Sequence, residues 1–389
     1  MPESPAPIYL DYHATTPVDE RVVAAMLPFF TERFGNAASR QHAFGWEASK
    51  AVERARKQVA ALVDARPAEV VFTSGATEAN NLALFGVMRA AAADRRHLVT
   101  LTSEHRSVLD PSSALETEGF AVTRVPVRAD GLVDLDVLAR ALGTETALVS
   151  VMTANNEVGV LQPLDAIAGL AHDRGILVHS DAAQAAGKVP PAGSTSPADL
   201  ISLSGHKIYG PKGVGALVVR RRVPRIGLAP LLHGGGHEQG LRSGTLDVPA
   251  IVGFGAAAAL CLRELDLEVP RLLGLRTRLV EALAVLPGLH VHGSIDRRLA
   301  NNLNVGFDGV HGDQLLLRLT DVALSSGAAC SSATARPSHV LQALGVPDDL
   351  ARASIRIGLG RWTTAAEVDR AAKRIREVVT ELRTRRAAG

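Results

Sequence analysis

The chain has 389 residues, 47% hydrophobic and 21% charged, and its 42 Lys and Arg against 40 Asp and Glu leave a net charge of +2. That length predicts two domains with cores large enough to need no staples, and so even a charge balance offers no footprint for direct nucleic-acid binding or for an anionic membrane. The two cysteines, Cys261 and Cys330, form neither a CxxC metal pattern nor a disulfide framework, which fits a reducing compartment.

From the N-terminus, Met1 to Leu10 carries no basic stretch followed by an apolar one, so no secretory signal is expected and a cytoplasmic location is. Between about Glu69 and Arg221, short β-rich runs alternate with Ala-rich helical segments. The runs are Val70–Phe72, His97–Thr102, Phe120–Val125, Ala147–Met152, Ile176–His179, Leu200–Leu203 and Gly215–Val219. The helical spacing is clearest over Ala79–Ala92 and Leu164–Asp173. This alternation predicts an α/β fold with a mostly parallel sheet covered by helices.

Ligands of such sheets bind at the carboxyl ends of the strands. Here those ends are repeatedly polar and small. Thr73-Ser74-Gly75-Ala76-Thr77-Glu78 joins a strand to a helix, where free N–H groups and the Thr77 hydroxyl favour a phosphate. The same turn taken alone is ordinary helix capping, and it lacks the Walker A lysine. His105 ends the next run and is placed to stack on a planar group or shuttle protons, although a lone histidine is more often structural. Asn155-Asn156-Glu157 follows a third run. Asp181 ends a fourth and can pair with a protonated pyridine nitrogen or simply cap a helix; Gln184 lies one turn on.

Lysine is scarce: only Lys50, Lys57, Lys188, Lys207, Lys212 and Lys373 are present. Lys207 follows Leu200–Leu203 within Ser204-Gly205-His206-Lys207, so a buried strand delivers its amine to the sheet's rim, where it is a candidate imine former. Ser204 and His206 beside it are donors for a phosphate.

The apolar run Pro249–Leu262 is too short to span a bilayer and predicts a buried helix, with Cys261 in its core. Beyond Pro270, Arg-rich helices (Leu272–Leu286 and Ala365–Arg385) bracket short strands such as Leu303–Val305, predicting a smaller α+β domain. Cys330 sits in Ser325-Ser326-Gly327-Ala328-Ala329-Cys330-Ser331-Ser332, a small, polar setting that suits a reactive thiol. Arg356 carries a planar fork able to grip a carboxylate, or to make a surface ion pair.

Taken in order, these segments resemble the cysteine desulfurases, of the class V aminotransferase-like pyridoxal-phosphate enzymes. The resemblance runs along nearly the whole chain. It includes Tyr9-Leu10-Asp11-Tyr12-His13-Ala14-Thr15-Thr16-Pro17, the Thr73–Glu78 turn, Asn155–Gly159, Ser204–Gly213, Gly234-Gly235-Gly236-His237-Glu238, Arg242–Thr245 and the Cys330 loop. It implies a fold-type I architecture with a seven-stranded, mostly parallel sheet. A large cofactor-binding domain would span residues 16–259. Residues 1–15 and 260–389 would form the small domain, with the Cys loop at about 324–336.

The resemblance also implies roles. Lys207 would bond to pyridoxal 5'-phosphate, His105 stack on its ring, Asp181 pair with its nitrogen and Gln184 contact its ring oxygen. Ala76, Thr77, Ser204 and His206 would hold the phosphate, with Thr245 reaching in from a second subunit of a homodimer. Asn156 would contact cofactor and substrate, and with Arg356 bind the carboxylate of L-cysteine. Cys330 would take the sulfur as a persulfide and pass it to an acceptor such as an iron–sulfur scaffold or a tRNA-thiolation protein. The Ser-Ser-Gly-x-x-Cys pattern resembles the longer-loop group of the family. The rival readings are a selenocysteine lyase, an aminotransferase, which would not need Cys330, and a catalytically idle scaffold. Ala183, Ala37 and Ala328 depart from the family's commonest residues without removing a proposed catalytic group.

Overall fold

The computed structural model describes residues 7–191, 197–310, 312–326 and 337–388. After β1 (Ile8–Tyr9) the chain builds β2 (Val70–Thr73), β3 (His97–Leu101), β4 (Ala121–Val125), β5 (Thr146–Ser150), β6 (Leu177–Asp181), β7 (Leu200–Ser204) and β8 (Gly215–Val219). Strands β2 to β8 form one seven-stranded sheet in the order β2-β8-β7-β6-β5-β3-β4. Only β8 runs against its neighbours, pairing antiparallel with β2 and β7. The expected fold class is the one observed.

The strand sequences are continuous apolar runs because both faces are covered. Side chains alternate between two cores, as the pleat requires. Val70, Phe72, Val99, Val149, Ile201, Leu203, Ala216 and Val218 face one core, which is closed by the helices Ala43–Ala61 and Val248–Leu283. Val71, Leu98, Leu148, Leu200 and Leu217 face the other, beneath the helices Ala76–Ala90 and Arg106–Thr117.

The C-terminal part adds β9 (Leu289–Val291), β10 (Asn302–Phe307), β11 (Val322–Ala323), β12 (Ser325–Ser326) and β13 (Ser354–Gly358). Four of these form a sheet in the order β12-β13-β10-β9, and β11 pairs in parallel with β1. A separate core gathers Leu303, Val305, Ile355 and Ile357 with Leu279, Leu283, Ile375 and Val379. The apolar run and the first Arg-rich segment, expected as two helices, are one helix of 36 residues that continues through Pro270. By length and composition this helix is apolar enough to cross a membrane, but most of its apolar stretch is buried inside the protein. Up to Cys261 it packs into the large sheet's core, and from Leu272 into the second.

Candidate active site

The carboxyl ends of β2, β3, β5, β6 and β7 open onto a cavity of about 650 Å3. Each parallel strand delivers its polar tail to the same rim, so residues distant in sequence converge. After β2 come Ser74, Gly75, Ala76, Thr77 and Glu78; after β3, His105 and Ser107; after β5, Met152, Ala154 and Asn156. Asp181 and Gln184 follow from β6, and Ser204, His206 and Lys207 from β7. Arg356 enters from β13 of the second core, and His13 from the segment after β1.

The turn after β2 is shaped for close approach. Gly75, at φ +153°, caps the 15-residue helix Ala76–Ala90, whose first N–H groups have no intrahelical partner. A side chain on the facing Gly215 would lie 2.6 Å from the Gly75 Cα, so glycine at 215 lets β8 support the turn. Glu78 accepts from Ser74 N at 2.7 Å and is held by Arg242 at 2.8 Å. Ser204 and His206 lie across from this turn, and together they form a cradle of neutral donors and helix-start amides suited to a phosphate.

Lys207 donates to the carbonyls of His13 (2.5 Å) and Ala14 (2.8 Å). Desolvation lowers its pKa to about 7; Lys188 and Arg356 add to this, and Asp11 and Asp181 oppose it. The amine is therefore substantially neutral near physiological pH, as an imine-forming lysine must be. Desolvation, with help from the cations around it, also brings His206 down to about 4.

Asp181 accepts from Ala183 N at 2.9 Å and from Asn80 Nδ2 at 2.8 Å. Gln184 is clamped by His13, whose Nδ1 lies 2.9 Å from Gln184 Oε1 and whose carbonyl accepts from Gln184 Nε2 at 2.9 Å. Arg356 donates to the Asn156 carbonyl at 3.0 Å and meets Asp11 at 2.9 Å and Ser325 at 2.8 Å. Its Nε has no partner, nor has the buried Asn156 Oδ1. Buried polar atoms are normally paired. Both atoms belong to residues that line the cavity.

The structure thus brings together Ala76, Thr77, His105, Asn156, Asp181, Gln184, Ser204, His206, Lys207 and Arg356. Thr245 is exposed and does not line this cavity. Cys330 and the 327–336 part of the expected loop lie outside the described residues. Among those described, Cys261 is the free thiol: buried, with desolvation raising its pKa to about 11. Sequence reasoning assigned no role to His13, Asn80 or Ser107. His13 lies in the Tyr9–Pro17 segment, whereas Asn80 follows Thr77 by three residues and Ser107 follows His105 by two, with no signal of their own.

The family model that matches is Aminotransferase class-V, over residues 8–371. Among curated relatives, "Cysteine desulfurase IscS" of Anaeromyxobacter sp. (strain Fw109-5) is 53% identical over 378 residues, 97% of this chain and 93% of that one. The "Cysteine desulfurase, mitochondrial" of Drosophila melanogaster is 52% identical over 378 residues, 97% of this chain and 82% of that one. A solved "NifS-like protein" superposes with a TM-score of 0.89 at 37% identity, over 96% of this chain and 100% of that chain.

Proposed function

Because this chain belongs to the aminotransferase class-V family, we propose that it is a pyridoxal-phosphate-dependent cysteine desulfurase, which converts L-cysteine to L-alanine and a persulfide on Cys330. The observation that carries this reading is the convergence on one cavity of a near-neutral amine (Lys207), a carboxylate (Asp181) and an incompletely paired guanidinium (Arg356).

The residues present fit that cofactor. Ser204, His206, Thr77 and the helix start at Ala76 would hold its phosphate. Asp181 would pair with its ring nitrogen, Gln184 reach its ring oxygen, and His105 lie against its face. When bound, pyridoxal phosphate supplies an electron sink for the charge that develops at the substrate's α-carbon.

The chain supplies the rest. Arg356 and Asn156 would fix the substrate carboxylate, with the unpaired Arg356 N–H as one donor. Lys207, half neutral near pH 7, would accept the α-proton at Nζ in its neutral form, and His105 would carry protons at the ring nitrogen facing the cavity. Cys330, as thiolate, would attack the substrate sulfur, so that an S–S bond forms as the Cβ–S bond breaks; the electron pair stays with the carbon fragment, which is protonated and leaves as L-alanine.

The same reading includes a homodimer, with Thr245 serving the cavity of a second copy, and a protein acceptor such as an iron–sulfur scaffold or a tRNA-thiolation protein. An apolar surface supports association: Leu27, Phe30, Phe34, Phe44 and Trp46 are each more than half exposed. Relatives include both a bacterial and a mitochondrial protein, and the sparse, unpatterned cysteines suit a reducing compartment such as the cytoplasm.

The test is release of alanine and sulfide from L-cysteine, with a thiol reductant, by wild type and Cys330→Ala. Matched products that disappear in the variant support the reading. Equal turnover by the variant removes Cys330 from it, and no product from cofactor-loaded wild type refutes the activity.

A further inference from the structure

Asn80 is fully buried in the first turns of the helix Ala76–Ala90, yet it contributes nothing to an apolar core. Its Nδ2 donates at 2.8 Å to Asp181 Oδ2 and at 2.8 Å to Ser107 Oγ. The direction of this amide is settled by its neighbour: the opposite orientation would press a carbonyl oxygen against the Asp181 carboxylate. Ser107 Oγ, having accepted from Asn80, has its own proton for His105 Nδ1, 2.8 Å away. The backbone N–H of Ser107 points at that same nitrogen at 3.1 Å. With two donors on Nδ1, the ring proton of neutral His105 belongs on Nε2, the nitrogen left for the cavity.

We propose that Asn80 is a positioning residue for the reaction: one amide group holds the Asp181 carboxylate as an acceptor and, through Ser107, presents His105 Nε2–H as a donor. The assignment rests on the proposed pyridoxal-phosphate chemistry for its purpose, but its geometry stands on these hydrogen bonds alone. The link means that the group pairing with the cofactor's nitrogen and the group facing the substrate are oriented by a single side chain. A leucine of similar size would fill the space and break both ends at once.

The link can be tested by two readouts apart from turnover. The first is the visible band of bound pyridoxal phosphate titrated against pH without substrate. The second is the nitrogen chemical shift of His105 in the apo-protein, which reports its tautomer. The variants are Asn80→Asp, Asn80→Ala, Ser107→Ala and the Asn80→Ala/Ser107→Ala pair, with melting curves as a control for folding. Asn80→Asp keeps the shape but sets an acceptor against Asp181 and draws the Ser107 proton away from His105. The other titratable and charged groups around the pair, namely Glu104, His179, Lys207, His339 and Asp110, remain in every variant.

In Asn80→Asp the band's midpoint should move by about one pH unit or more, since a second carboxyl now competes beside Asp181. The His105 signal should shift from a single Nε2–H form to a mixture, and kcat/KM should fall by about 10–100-fold. The double variant should lose no more than Asn80→Ala alone, because both act on one chain of bonds. Unchanged titration, tautomer and pH–rate profile in folded Asn80 variants, with only the melting point lowered, would overturn the assignment. Fully additive losses of Asn80→Ala and Ser107→Ala would also overturn it. Should Asn80→Asp fail to fold, the two alanine variants and their combination decide. Both readouts are taken without cysteine, so a wild type that makes no alanine refutes the desulfurase reading while leaving this one open to judgement.

Discussion

Lys207 has two requirements that pull in opposite directions: it must be held in place, yet stay uncharged enough to react. Two backbone carbonyls hold it, and neither is an anion that would stabilise the ammonium form. Burial and the neighbouring cations bring its pKa from 10.5 to about 7. The neutral fraction therefore grows as pH rises through 7 and is nearly complete one to two units above. We expect the rate at which apo-protein takes up pyridoxal phosphate, followed by absorbance, to climb between about pH 6 and pH 8 and then level off. A rate still rising steeply above about pH 9 would place the amine at its ordinary value. Asp181 and Lys207 were legible in the sequence because the first ends an apolar strand and the second follows one by three residues. Asn80 was not, because it stands beside Asn81 and nothing local separates them. The fold places Asn80 inward against Asp181, while Asn81 turns back to the Thr77 carbonyl at an exposed position.

Strand β2 is the edge of the large sheet, and edge strands carry backbone groups with no partner strand. Here a buried ion pair takes that place. Glu238 accepts from Phe72 N at 2.7 Å, Arg56 donates to the Val70 carbonyl at 2.8 Å, and the two side chains meet in a bidentate pair at 2.7 and 2.8 Å. Arg56 also lies over the Phe72 ring, 4.7 Å from its centroid. Glu238→Ala should destabilise the protein by about 3 kcal/mol, since it leaves the edge amide of Phe72 unpaired and the buried Arg56 guanidinium with only the exposed Glu53 as counter-charge. Equilibrium denaturation would measure this, and a loss below about 1 kcal/mol, the range of a surface pair, would show the brace to be dispensable. The strands themselves were readable as apolar runs, because burial on both faces removes polar interruptions. The single helix Val248–Leu283 was not, because Arg263 to Glu268 and Pro270 look like an ending. In the fold Glu264 and Glu268 are partners of Arg21 and Arg361, which keeps a charged stretch useful in mid-helix.

At the scale of the whole molecule, the proposed homodimer is open to a direct test. Sedimentation should give twice the chain mass, and Phe34→Glu with Trp46→Glu should yield a monomer with little desulfurase activity. Full activity in a monomeric wild type would refute the shared site. The acceptor protein left no mark in the sequence that these elements explain, since an exposed surface is under no packing constraint.

The 36-residue helix that enters both cores has a mechanical consequence. Lys207 follows a strand of one core and Arg356 lies on a strand of the other, so the gap between amine and guanidinium is set across both cores, with the Arg356 bond to the Asn156 carbonyl as a direct tie. A flexible linker would let that gap breathe freely. A continuous helix has no loop to swivel about, so an opening between the two cores must flex it, and it bends most easily at Pro270, which removes one helical hydrogen bond where the helix passes from one core to the other. The protein therefore carries its own spacer bar, about 54 Å from end to end, with its softest point at Pro270.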